Sequence, residues 1–201
     1  MILALAVVLG LVVSLIRYRR HTFHQIAAIP LRSAWLVVLA LALQWPLLQA
    51  QAGPVQSVKV QQALFLLSFG LLLLFAWRNR QLLGIRIFGL GMMCNLLVIL
   101  ANGGFMPITP ETLVQINSGT RAEQWQTNVH YGYSKDIILP REQVKLWVLS
   151  DILVIPRPFP RPTAFSLGDL LIAVGIVVLM QCSGTQPGLA STPPDSRHEP
   201  A

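Results

Sequence analysis

Long apolar runs dominate the first 182 residues, and the arginines gather near the ends of those runs. A helix needs about 20 apolar residues to cross the roughly 30 Å hydrocarbon core of a bilayer. A chain built from such runs has few other folds open to it. Hydrophobic residues make up 54% of the chain and charged residues only 11%, where a soluble domain carries roughly a quarter charged. Lipid is therefore the expected solvent. The runs fall at residues 1–16, 33–48, 60–77, 82–100 and 165–180. They predict an all-α membrane protein with a bundle of five transmembrane helices in one domain over residues 1–182.

The first run is apolar apart from Ser14 and is followed at once by Arg17, Tyr18, Arg19 and Arg20. A cleaved signal peptide carries its charge before the apolar stretch, so this order predicts a retained helix with its N-terminus outside. Gln44-Trp45-Pro46 closes the second run, a Gly53-Pro54 turn follows, and Trp77-Arg78-Asn79-Arg80 closes the third. Gly84, Gly89, Gly91 and Cys94 in the fourth run permit close helix contacts. Arg86 in the same run snorkels toward the cytoplasmic surface. Arg17, Arg19, Arg20 and Arg32 fall in the first connection, and Arg78, Arg80 and Arg86 in or near the third. These two connections are expected to be cytoplasmic, which places the N-terminus outside and the C-terminus inside a plasma membrane.

Asn102-Gly103-Gly104-Phe105-Met106-Pro107 breaks the fourth helix. It opens an external loop, 101–164, that is far longer than an ordinary connection. Val144 to Ile155 is apolar and β-branched, and reads as a strand or an interfacial segment. Residues 183–201 are rich in Gly, Ser, Thr and Pro and read as a disordered cytoplasmic tail.

The formal charge of +7 lacks the continuous basic stripe with interleaved aromatics of a nucleic-acid binder. Membrane lipids are the expected partner, and nucleic acid is not. Cys94 and Cys182 lack metal-ligand spacing and read as packing residues. His130 has no ligand partner at metal spacing and reads as a loop residue, so neither a metal nor another cofactor is expected.

Ionisable residues at membrane depth point to function because burying them alone is costly. Asp151 sits in the apolar stretch Leu149-Ser150-Asp151-Ile152-Leu153-Val154, and Asp169 opens the last run in Phe165-Ser166-Leu167-Gly168-Asp169-Leu170. If the proline-rich connector Pro156 to Pro162 folds back, the two carboxylates meet at the outer surface. Sharing one proton, one activates water while the other protonates a scissile carbonyl. A different reading also fits. Ser166-x-x-Asp169 matches a capping box with Phe165 and Leu170 as a hydrophobic staple, and Asp151 pairs with Arg157 or Arg161. Asn95 and Asn102, seven apart, share a helix face. They either hydrogen-bond the carboxylates or a substrate backbone, or Asn95 satisfies a neighbouring helix and Asn102 serves the Gly-Gly turn.

The stretch from Asp151 through Phe165-Ser166-Leu167-Gly168-Asp169 to Gly175 resembles the last two boxes of the bacterial lipoprotein signal peptidases. That resemblance implies an aspartic dyad at Asp151 and Asp169, with Ser166 and Gly168 standing where those enzymes have Asn and Ala. Those peptidases have four spans and an Asn-x-x-Asp-Arg motif, whereas Asn102-Gly103-Gly104-Phe105 here has no Asp-Arg. Over its whole length the chain is similar to an uncharacterised family of bacterial polytopic membrane proteins with an Asn-Gly-Gly-x-Met-Pro turn and a closing Ser-x-Gly-Asp box.

The expected activity is an aspartic-type hydrolase acting on a membrane-anchored peptide or protein. Asp151 and Asp169 are its catalytic pair, and Asn95, Asn102, Gly103, Gly104 and Ser166 its orienting groups. The alternative is a non-enzymatic assembly or scaffold protein. A small transport component ranks third, because the polar residues lie at span ends and not at the midplane.

Overall fold

A computed structural model describes residues 2–19, 22–48, 58–117, 119–131, 136–159 and 162–181. The turn at Gly53-Pro54, Arg20, Gly132-Tyr133, Arg161, Cys182 and the tail 183–201 lie outside these residues.

The apolar runs form α1 (Ile2–Tyr18), α3 (Trp35–Leu48), α4 (Val58–Arg78), α5 (Leu83–Ala101) and α7 (Leu167–Met180), with a short α2 (Thr22–Ala27) between the first two. The neighbour order in the bundle is α3, α4, α5, α7, α1, and the closest pairing is between α5 and α7. One core cluster joins Phe65, Phe69, Met92, Val98, Ile99, Met106 and Ile172. A second, toward the other end of the bundle, joins Leu36, Phe75, Ala76 and Ile85.

The α5–α7 pairing is made by glycine. A Cβ on Gly84 would stand 2.5 Å from the backbone nitrogen of Leu179, and one on Gly175 would stand 2.6 Å from that of Phe88. Gly91 lies likewise against the carbonyl of Gly168. The pairings run in opposite chain directions, so the helices are antiparallel and their backbones touch along the seam. α1 joins α7 through its own small residues: Ala6, Gly10 and Ser14 are its buried side. Ser14 Oγ donates to Met180 O (3.2 Å), Tyr18 OH to Gln181 O (2.8 Å) and Gln181 Nε2 to Gly10 O (3.1 Å).

The described residues between 102 and 166 fold into a small lobe. Strands β1 (Met106–Ile108), β2 (Val129–His130) and β3 (Asp136–Ile138) form a sheet in the order β1-β3-β2. β1 and β3 are parallel, with Met106 level with Asp136, and β2 is antiparallel to β3. Helix α6 (Pro110–Ile116) starts at Thr109, whose Oγ1 accepts from Thr112 N, with Pro110 at the first helical position. Ile108, Leu113 and Ile138 form the lobe's core against Trp125 and Tyr131. His130 packs edge-on against Phe105, with ring centroids 4.3 Å apart.

The lobe corrects the all-α expectation, since its strands are part of the fold. The expected strand within Val144–Ile155 is confined to β4 (Leu153–Ile155), which pairs with β5 (Thr163–Phe165). Leu146 adopts a left-handed conformation (φ 57°) and Trp147–Leu149 turns as a 3-10 helix, so the extended run is broken before Asp151. The last helix begins at Leu167, not at residue 165, because the backbone of Phe165 is taken up by Leu153 in the hairpin. Among the described residues two helices, Lys59–Arg78 and Leu83–Ala101, are long and apolar enough to cross a membrane. α1 has 17 residues and α3 and α7 have 14 each.

Candidate functional site

Three polar side chains, Asn95, Ser166 and Asp169, converge where α5 meets the start of α7. Ser166 is the N-cap of α7: its Oγ accepts from Asp169 N at 2.9 Å, and its own N donates to Asp169 Oδ2 at 3.4 Å. This is the capping box. Asn95, only 1% exposed on α5, closes it into a ring. Its Nδ2 donates to Asp169 Oδ1 (2.8 Å) and its Oδ1 accepts from Ser166 Oγ (2.8 Å). Gly168 makes the approach possible, because a Cβ there would fall on the Asn95 carboxamide. Each polar atom brought into this apolar setting therefore has a partner, as burial requires.

The segment just before Asp151 packs against α5 and α7. Leu149 packs on the core cluster of Met92, Val98, Ile99 and Ile172. Ser150 and Asp151 follow it into the interior, at 1% and 4% exposure. The hairpin then pairs Leu153 with Phe165. Asp151 thus precedes β4 by two residues, while β5 leads directly into Ser166 and α7.

Asn102, Gly103 and Gly104 stand apart from the ring. Asn102 Nδ2 donates to Val98 O (2.8 Å) and Lys145 O (2.9 Å), while Lys145 N donates to Asn102 Oδ1 (2.9 Å). Gly103 and Gly104 both have positive φ, 81° and 94°, which lets the chain turn off α5 with Gly104 N bonded to Ile99 O. Gln62 Nε2 on α4 donates to Gly103 O at 2.7 Å. The turn thus fastens α4, α5 and the segment that leads to Asp151. Sequence reasoning missed Gln62 and Lys145. Gln62 left a trace as a polar residue at the start of an apolar run, but Lys145 takes part through its backbone and leaves none. Among the described residues no three His, Cys, Asp or Glu side chains gather where they could hold a metal ion.

A family model, described as a family of unknown function (DUF5317), matches residues 28–181. The chain belongs to this family. The DUF5317 match takes in the Asn95–Ser166–Asp169 ring, Asp151 and the Asn102 turn, and leaves α1 outside it. No curated protein and no solved structure matches the chain.

Proposed function

We propose that this chain is a multi-pass integral membrane protein of non-enzymatic, scaffold-like character. In this reading its five long helices all cross the membrane, its N-terminus and its lobe lie outside, and its C-terminus lies in the cytoplasm. The observation that carries the membrane placement is the polarity of α5. Leu83, Leu90 and Leu97, seven residues apart, point outward at 55%, 56% and 51% exposure, while Gly84, Gly91 and Val98 beside them are buried. In water the large side chains would face the core, whereas in lipid small residues serve the helix contact and leucine faces the solvent. The exposed tryptophans at helix ends, Trp35, Trp45 and Trp77, fit the interfacial level. The shorter helices, about 21 Å for 14 residues, are accommodated by local thinning of the bilayer and flanking interfacial residues.

The scaffold character is supported by the ring. Both oxygens of Asp169 accept hydrogen bonds from the groups that start α7 and hold it to α5. A second reading, an aspartic-type hydrolase acting on a membrane-anchored peptide with Asp151 and Asp169 as its pair, is supported by the burial of Asp151 just before the hairpin that leads into α7. Asp151→Asn and Asp169→Asn separate the two readings when the purified variants are tested with a lipid-anchored peptide. The scaffold reading expects Asp169→Asn to lower the melting temperature and expects no cleavage by the wild-type chain. Wild-type cleavage that either variant abolishes at an unchanged melting temperature would establish the hydrolase instead.

A further inference from the structure

At the other end of α5, three arginines face one open groove of about 420 Å³, lined by Arg32, Ser33, Trp77, Arg78, Arg80 and Gln81. The groove is built, because Asn79 beneath it is fully buried and clamps the two segments together. Arg32 N donates to Asn79 Oδ1 (2.7 Å), and Asn79 Nδ2 donates to Arg32 O and Phe75 O (2.8 Å each). The clamp uses only the backbone of Arg32 and leaves its guanidinium for the groove. Arg78 Nη1 donates to Ser33 Oγ (2.9 Å), and the Arg80 guanidinium lies 5.2 Å from the Trp77 ring centroid.

The elements that build this end supply no counter-charge, since no Asp or Glu precedes Glu111. The one acidic residue of α7, Asp169, lies at its far end. Three like charges on a rigid frame repel unless an anion comes between them. Guanidinium forks match the oxygens of a phosphate, and the exposed Trp77 marks the level of the lipid headgroups. We propose that the groove binds the phosphate group of an anionic phospholipid, an assignment that rests on the membrane placement above.

The test uses the full chain in neutral detergent, titrated with phosphatidylglycerol or phosphatidylcholine and read by native mass spectrometry. The wild type is expected to bind phosphatidylglycerol roughly tenfold more tightly than phosphatidylcholine. The R32Q/R80Q variant, which keeps the Asn79 clamp and the Arg78–Ser33 bond, should lose roughly thirtyfold in phosphatidylglycerol affinity. R17Q/R86Q removes the same charge outside the groove and should leave that affinity within about twofold. An equal fall in both variants, or no preference in the wild type, overturns the site. Displacement of the lipid by inorganic phosphate would assign the groove to a soluble phosphate and overturn the lipid assignment. Alkaline carbonate extraction of cell membranes separates this failure from that of the membrane placement. A chain released by carbonate refutes the placement, while a retained chain without lipid preference refutes the groove alone.

Discussion

A carboxamide inside an apolar helix must find both a donor and an acceptor partner, and Asn95 finds them in residues more than 70 positions away. Substitutions there should rank by how many groups they strand. Ser166→Ala removes a cap and should cost about 1 kcal/mol. Asn95→Leu leaves the Asp169 carboxylate short of a partner and should cost about 2 kcal/mol or more. Gly168→Ala forces a methyl onto the Asn95 carboxamide and should cost about 1–3 kcal/mol. Adding Asn95→Ala to Gly168→Ala should recover part of that loss. Thermal melts of the detergent-solubilised variants test the order, and strictly additive losses for the last pair would refute the contact. The capping box was legible in the sequence because Ser166 and Asp169 are three apart and obey a local rule. The third member was legible only as one of several options, since periodicity places Asn95 on a face of α5 without saying which helix that face meets.

The helices themselves were readable to within a few residues because each carries its own apolar run and its own stop. α5 ends where Asn102-Gly103-Gly104 turns away, and α7 starts where Ser166 caps it. The lobe was read less well. Its strands are three residues or shorter and pair across long separations, as Met106 does with Asp136, so no alternating pattern announces them. One local signal was present at Thr109-Pro110, a cap followed by proline at the first helical position, and it marks α6. The glycines make a contrast that can be measured. Gly70 on α4 has nothing within 4 Å of a would-be Cβ, while Gly84 faces the backbone of Leu179. Gly70→Ala should therefore leave stability unchanged or raise it by up to about 1 kcal/mol. Gly84→Ala should lower it by at least about 1 kcal/mol, and equal melts for the two variants would show that the seam is not tight.

For the whole molecule, the proposed orientation rests on the distribution of arginines, and impermeant maleimide tests it. In a C94A/C182A background, Glu123→Cys in the lobe should label in intact cells, and Arg80→Cys should label only after permeabilisation. The reverse pattern would invert the topology. The antiparallel seam also limits how such a molecule can change shape. Backbones that meet at Gly84, Gly91, Gly168 and Gly175 act like the teeth of a rack, since sliding α5 past α7 would drive Leu179 and Ile172 into the main chain opposite. These two helices and the corner between them therefore move as one stiff keel, and α1 is fastened to it by Ser14, Tyr18 and Gln181. The pair α3 and α4, tied internally by Gln44 and Ser68, meets this keel through interlocking side chains such as Phe65 and Phe69, a seam that can adjust by changes of rotamer where the glycine seam cannot.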